Sequence, residues 1–188
     1  MRAVGEGVPM LPDFEPREVF LHPGDYAFGD ERTRIHTLLG SCVAVTFWHP
    51  ELRIGAMCHY LLPSRPAVRD RVEGCYAQEV IPAISDWFLS RGLQPAEFHV
   101  KMFGGSNMSP GLSLDDILSI GSKNIYVGER LLGACGFRIA KADLAGVSQR
   151  RVIFELWSGD VWVRQGTRLQ DGEEAPEPEP FRPRRRPS

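Results

Sequence analysis

The sequence predicts an α+β fold in which strands outnumber helices, and three patterns support this class. Side chains alternate over residues 43–48, as in a strand. Residues 151–157 and 161–165 flank a three-residue loop containing glycine, which is typical of a hairpin. Apolar residues over 77–88 recur at helical spacing instead. With 188 residues, 43% of them hydrophobic, the chain is long enough to bury one core of ordinary size.

The elements follow in a regular order along the chain. The strand at 43–48 leads through a turn at His49-Pro50-Glu51 into a second strand at 53–62, which predicts a hairpin. The helix that starts near Ala77 ends near Arg91, and Pro82 inside it implies a kink or a later start. The later segments are a strand at 98–103, a helix at 124–135 ending before Gly136, a strand at 137–142 and the final hairpin.

Composition divides the chain into three regions. Residues 1–18 are interpreted as a loosely ordered lead and 19–168 as the folded domain. Residues 169–188 contain an acidic block, a basic block and repeated prolines, so they cannot bury enough apolar surface to offset the entropy of ordering. We therefore expect a disordered tail.

Charge and cysteine usage exclude several function classes. With 22 basic and 24 acidic residues, the net charge of −2 favours neither nucleic acid nor anionic membrane as a partner. No signal sequence or apolar span is found, so we expect a cytoplasmic protein without membrane insertion. The four cysteines contain no Cys-x-x-Cys pair, and neither a zinc-ligand spacing nor a P-loop occurs, so no metal or nucleotide cofactor is expected. Those cysteines are Cys42, Cys58, Cys75 and Cys135.

The most informative segment places Cys42 after a Gly-Ser turn and directly before a strand. A symmetric loop centred between Pro50 and Glu51 would place Cys42 opposite His59, with Cβ atoms roughly 4.5–5.5 Å apart. Cys58 would then point to the other face of the sheet. Backbone N–H groups near Ser41 and Cys42 could stabilise an oxyanion. The residues alone leave two interpretations open: a nucleophile with its base, or a small buried cysteine beside a structural histidine.

Five motifs, in order, resemble the CheD family of chemoreceptor glutamine deamidases, over roughly residues 20 to 165. The spacing from the cysteine to the histidine also matches. The motifs are Leu39-Gly40-Ser41-Cys42-Val43-Ala44-Val45, then Gly55-Ala56-Met57-Cys58-His59 with Leu62-Pro63, Lys101-Met102-Phe103-Gly104-Gly105-Ser106-Asn107-Met108, Ile120-Gly121-Ser122-Lys123-Asn124, and Asp143-Leu144-Ala145-Gly146 with Arg150-Arg151-Val152.

The resemblance implies a β-sandwich-like core with flanking helices, similar to the catalytic domain of the cytotoxic necrotizing factor toxins. It implies a cysteine hydrolase with a papain-like division of labour between a Cys42 thiolate and His59, and no cofactor. The implied substrates are glutamines in the cytoplasmic domains of chemotaxis receptors, with glutamyl methyl esters as a second class. The phosphatase CheC is an implied partner. The alternative is a catalytically silent module that binds receptors or CheC.

The resemblance also assigns supporting residues. A threonine just upstream of the Gly-Ser-Cys turn orients the histidine in the family, and either His36 or Thr37 can occupy that position here. A hydroxyl accepts a hydrogen bond without adding charge, which slightly favours Thr37. The Gly-Gly loop is interpreted as a substrate loop, and its residues are Phe103, Gly104, Gly105 and Asn107.

Overall fold

The computed structural model describes residues 2–3, 12–65, 73–107 and 120–166. Two five-stranded sheets stack face to face, and two helices cover the outer side of the second sheet. In spatial order, the first sheet contains β1 (Arg2–Ala3), β10 (Asp160–Gln165), β9 (Arg150–Glu155), β4 (Thr33–Leu39) and β2 (Arg17–Phe20). The second contains β3 (Tyr26–Gly29), β6 (Ile54–Tyr60), β5 (Val43–His49), β7 (His99–Gly104) and β8 (Ile139–Leu144). The helices are α1 (Ala77–Leu89) and α2 (Ile120–Ala134), with a 3-10 turn at Pro95–Glu97.

Apolar residues on alternating strand positions build two core layers. One layer fills the space between the sheets and includes Ile35, Leu39, Ala44, Met57, Phe103, Val152 and Phe154. The other lies between the second sheet and the helices and includes Val45, Cys58, Tyr60, Ile84, Phe88, Met102 and Leu132. The predicted α+β class, with a β-sandwich core and flanking helices, is confirmed. Within the described ranges, neither helix combines the length and apolar character needed to cross a membrane.

The predicted hairpin of β5 and β6 is present, but its predicted register is wrong. Ala44, not Cys42, is the direct partner of His59. The reason is the turn: His49 pairs with Ile54, Arg53 adopts a left-handed conformation (φ 50°), and its N–H bonds to the His49 carbonyl. The loop is therefore centred one residue later than expected. This moves the pairing by two residues, so each side chain keeps the face that was predicted for it.

Other boundaries differ in detail from the sequence-based prediction. The first helix begins at Ala77 with Pro82 inside it, so the later start is wrong. The second helix begins at Ile120, four residues before the predicted position. Two parts of the expected lead are paired strands, because Arg2 and Ala3 pair with β10 and β2 already begins at Arg17. The expected tail, 169–188, lies outside the described residues.

One of the short turns at which the chain crosses between the sheets positions the candidate site. Strand β4 of the first sheet ends at Leu39, and β5 of the second begins at Val43. Residues 40–42 therefore connect the two layers. Inward-facing residues on either side of this crossing, Thr37 and Ala44, point into the same space between the sheets, as does His59.

Close packing of α2 against the second sheet depends on a glycine. Gly128 faces the Tyr60 ring, and a Cβ there would overlap the phenol oxygen and lie 2.7 Å from the Met102 methyl group. Gly133, on the exposed side of the same helix, has nothing within 4 Å of the corresponding position.

We expect Gly128→Ala to lower the free energy of unfolding by about 1–3 kcal/mol, because the helix must move away from Tyr60. The matched control, Gly133→Ala, should be neutral or stabilising by up to about 1 kcal/mol, since alanine favours the helix and meets no neighbour. Urea unfolding of both variants measures the difference. Equal stability of the two would contradict the packing described here.

Candidate active site

The turn at residues 40–42 is fixed by hydrogen bonds to all three of its carbonyl groups. The Ser106 N–H donates to the Gly40 oxygen (2.9 Å), and the Gly105 N–H donates to the Cys42 oxygen (2.8 Å). The Asn124 side-chain amide donates to the Ser41 oxygen (3.2 Å). Within the described part of the chain, the N–H groups of Ser41 and Cys42 donate to no backbone carbonyl group. Two amides beside a cysteine are the donors that an oxyanion hole requires.

The Cys42 thiol is half-buried and packs against the inter-sheet core. Burial raises its pKa, and its own backbone N–H partly offsets that rise. Cys58, one residue before His59, faces the helices, as predicted, and burial raises its pKa to about 12. All four cysteines are free thiols. Cys42 is the one that shares the inner face with His59.

A hydrogen bond between Thr37 and His59 fixes the tautomer of the imidazole. The Thr37 hydroxyl donates to the Leu21 carbonyl oxygen (2.7 Å) and lies 2.8 Å from His59 Nδ1. Because its proton is directed to Leu21, the hydroxyl oxygen accepts from Nδ1–H. His59 Nε2 is therefore the unprotonated nitrogen. It is buried and has no hydrogen-bond partner among the described residues.

Burial also sets the charge of the histidine. His59 is 1% exposed, and desolvation lowers its pKa from 6.5 to about 4, although the Leu21 carbonyl and the Asp25 carboxylate act in the opposite direction. Together with the raised pKa of Cys42, this favours a neutral thiol and a neutral imidazole. Burial therefore acts against each of the two charges in the thiolate–imidazolium pair that the resemblance implies.

The structure brings Thr37, and not His36, to His59. His36 lies on the outer face of β4, because successive strand residues point to opposite sides. Its Nε2 is 3.8 Å from Glu18 Oε2, and its ring contacts Phe20 edge-on. Desolvation is the largest effect on its pKa, which is lowered.

The Gly-Gly loop lies directly against the turn at residues 40–42. Gly104 (φ 106°) and Gly105 (φ 67°) both adopt left-handed conformations, and a Cβ on Gly104 would overlap the Cys42 carbonyl. The Asn107 N–H donates to the Gly146 oxygen (2.8 Å). Phe103 does not belong to this loop, which corrects the prediction. Its side chain is fully buried between the sheets, because β7 continues through Gly104.

Sequence reasoning missed a buried ion pair that supports this loop. Arg150 Nε donates to Asp143 Oδ1 (3.0 Å), and another nitrogen of the same guanidinium donates to the Ser106 hydroxyl. Ser106 in turn holds the Gly40 carbonyl through its backbone N–H. Asp143 and Arg150 both occur in the last of the resembling motifs. An arginine at the start of a strand, however, gives no signal in the sequence that it is buried. Arg150 is 3% exposed.

Sequence reasoning also missed Asn124 as a site residue, although it is the last residue of the fourth resembling motif. It is fully buried on α2 and contacts the turn directly. Among the described residues, no group of three or more histidine, cysteine, aspartate or glutamate side chains could hold a metal ion.

Comparisons with known proteins agree with the motifs. A family model described as CheD chemotactic sensory transduction matches residues 61–165. The chain is 40% identical over 150 residues to "Probable chemoreceptor glutamine deamidase CheD 3" of Dechloromonas aromatica (strain RCB), covering 79% of this chain and 88% of that relative. It is 41% identical over 162 residues to "Probable chemoreceptor glutamine deamidase CheD 1" of Chromobacterium violaceum, covering 84% of this chain and 83% of that relative.

A solved structure, the hypothetical protein YfiH of Bacillus licheniformis, aligns with a TM-score of 0.42 and 16% identity over 71% of this chain and 60% of that one. The matching family model and the two identities near 40% show the family directly. This chain belongs to the CheD family.

Proposed function

We propose that this protein hydrolyses the side-chain amide of particular glutamines in the cytoplasmic domains of chemotaxis receptors, releasing ammonia and leaving glutamate. The names of relatives near 40% identity support the substrate class. The observation that carries the chemistry is the Thr37–His59 hydrogen bond, because it leaves Nε2 as a free base on the face shared with Cys42. A receptor substrate also favours a cytoplasmic location.

The first half of the reaction forms a thioester. As the Cys42 sulfur attacks the carboxamide carbon, its proton moves to His59 Nε2. The carbonyl oxygen becomes negative and accepts hydrogen bonds from the N–H groups of Ser41 and Cys42. The imidazolium then donates its proton to the departing nitrogen, so the C–N bond breaks and ammonia leaves.

The second half restores the enzyme. His59 removes a proton from water, the resulting hydroxide attacks the thioester carbon, and the C–S bond breaks. The sulfur recovers its proton from the imidazolium, and the product is a glutamate side chain. A glutamyl methyl ester would follow the same route with methanol as the leaving group.

Ala44, rather than Cys42, lies opposite His59, so Cys42 and His59 are diagonal neighbours. In a regular sheet such neighbours are up to about 7–8 Å apart. Hydrogen bonds of a catalytic pair often tighten only when substrate binds. The proposal therefore requires that the bound glutamine draws sulfur and imidazole together.

A binding module without activity is the second candidate, acting through receptors or through CheC. Retention of Cys42, His59 and Thr37 on one inner face favours the enzyme. The two candidates differ in product, since only hydrolysis changes the mass of the receptor.

We expect a receptor cytoplasmic fragment to gain about one mass unit per modified glutamine when incubated with the full chain. Cys42→Ala should reduce this rate at least about 10³-fold without unfolding the domain. Cys58→Ala, Cys75→Ala and Cys135→Ala are the matched controls and should retain activity. Full turnover by Cys42→Ala would refute the mechanism, and stable binding without any mass change would favour the binding module.

Thr37→Val should lower kcat/KM about 10–100-fold, because the isosteric side chain cannot accept from His59 Nδ1–H. Thr37→Ser keeps the hydroxyl and should recover most of the activity. His36→Ala, on the outer face of the same strand, should remain within roughly threefold of the wild type, since it touches no reacting group. A large loss in His36→Ala alone would reverse the assignment.

Acid should destabilise the fold through His59. Since its pKa is about 4 in the folded chain and about 6.5 when unfolded, the unfolded chain binds the extra proton between these values. The free energy of unfolding is therefore highest above pH 6.5, and protonation of the unfolded chain removes up to about 3 kcal/mol of it by pH 4. Urea unfolding across this range should show a flatter pH dependence for His59→Gln. Parallel curves for the two proteins would contradict the buried neutral histidine.

A further inference from the structure

Helix α2 presents a narrow face to the candidate site. Its inward positions are Gly121, Asn124, Gly128 and Leu132, spaced so that they share one side of the helix. A Cβ on Gly121 would meet the Gly105 carbonyl oxygen, and one on Gly128 would meet the Tyr60 phenol. The two glycines therefore let the helix backbone approach the sheet closely, with Asn124 between them.

Asn124 contacts both of the chain segments that carry the candidate catalytic pair, which are the Cys42 turn and the end of the His59 strand. Its side-chain Nδ2 donates to the Leu61 carbonyl (2.7 Å) and to the Ser41 carbonyl (3.2 Å). Ser41 directly precedes Cys42, and Leu61 follows His59 by two residues. The Asn124 backbone carbonyl also accepts from the Tyr60 hydroxyl (2.9 Å).

These contacts begin where the ladder between β5 and β6 ends. The last ladder pair is Val43 with Tyr60, so no strand pairing fixes the separation of the chain beyond it. Ser41 and Leu61 lie just past that pair on the two strands. A single amide group that binds both of their carbonyl oxygens therefore fixes how far the strand ends separate.

The amide orientation is determined by its surroundings. Nδ2 faces two carbonyl oxygens, and a rotation that exchanged it with Oδ1 would place three acceptors together. Oδ1 is buried without a hydrogen-bond partner in the part of the chain that the structure describes. An unpaired buried acceptor is unfavourable, so the oxygen does not stabilise this position of the side chain. The two hydrogen bonds that Nδ2 donates do.

We propose that Asn124 is a positioning residue that sets the separation between the Cys42 turn and the His59 strand. The proposal rests on the hydrolase function proposed above, in which sulfur and Nε2 must meet at one carboxamide carbon. Asn124 touches neither the substrate nor the reacting atoms. Its effect is on the alignment of the nucleophile and the two turn amides.

The test uses Asn124→Leu in the full chain, because leucine has the same number of non-hydrogen side-chain atoms but no donor. We expect kcat for ammonia release to fall about 10–100-fold while KM changes less than about threefold, since misplacement by about 1 Å costs on this order. Leu132→Ala is the matched control on the same helix face. It should lower the melting temperature by removing core volume yet leave kcat unchanged.

A second measurement follows the thiol directly. In a background with Cys75→Ser and Cys135→Ser, the rate of alkylation by iodoacetamide against pH reports Cys42, since Cys58 is buried. Asn124→Leu should move the midpoint of this profile to lower pH, because a released turn exposes a thiol whose burial raises its pKa. Leu132→Ala should not move it. An unchanged midpoint and an unchanged kcat in folded Asn124→Leu would overturn the proposal.

If Asn124→Leu does not fold, the wild-type chain still decides the question. Slow hydrogen exchange of both Asn124 Nδ2 protons, with a change in their NMR shifts after Cys42 is alkylated, would support the bridge. Exchange as fast as in an exposed asparagine would overturn it. If the wild type releases no ammonia, the hydrolase function fails, and the alkylation profile alone settles the role of Asn124.

Discussion

The carbonyl groups of residues 40–42 have no partner in either sheet. The hydrogen bonds that they accept from other segments determine how the candidate site is built. The chain leaves one sheet at Leu39 and joins the other at Val43, so residues 40–42 belong to no ladder. Their carbonyl groups take hydrogen bonds from elsewhere in the chain, and the donors are Ser106, Asn124 and Gly105. The Gly-Gly loop, helix α2 and the buried Arg150–Asp143 pair behind Ser106 therefore all converge on this turn. In the proposed reaction, the amide hydrogens of Ser41 and Cys42, which no backbone carbonyl group accepts, would bind the substrate oxygen.

Burial also sets the protonation states of Cys42 and His59. An apolar sandwich disfavours both a thiolate and an imidazolium, which raises the pKa of Cys42 and lowers that of His59. In the proposed reaction, charge on these two groups would appear only as the sulfur attacks. A neutral thiol is also less reactive towards oxidants than a thiolate, so burial makes Cys42 less prone to oxidation. Thr37 can orient the base without adding a charge of its own, which a histidine in its place could not do when protonated.

Much of the architecture could be predicted because it depends on local patterns. Alternation identified β5 and β6 as a hairpin, and strand parity correctly separated Cys58 from His59 even though the register was shifted by two residues. The register itself depends on the left-handed Arg53, which no residue preference indicates. Thr37 could not be separated from His36 by parity within one strand, because the chain changes sheets between Thr37 and Cys42. Phe103 was misplaced because a strand end and a loop start look alike in sequence. Asn124 and Arg150 act through contacts between distant segments, which a single sequence does not reveal.

The short crossing between the sheets also constrains how such a chain can change during evolution. Residues inserted at the tip of the β5–β6 hairpin, near Arg53, would lengthen the loop and leave the pairing of Ala44 with His59 untouched. An insertion between Thr37 and Cys42 would instead shift Cys42 relative to Thr37 and His59, because residues 40–42 are the whole connection between β4 and β5. We therefore expect the interval from threonine to cysteine to vary less among relatives than the length of the β5–β6 loop does.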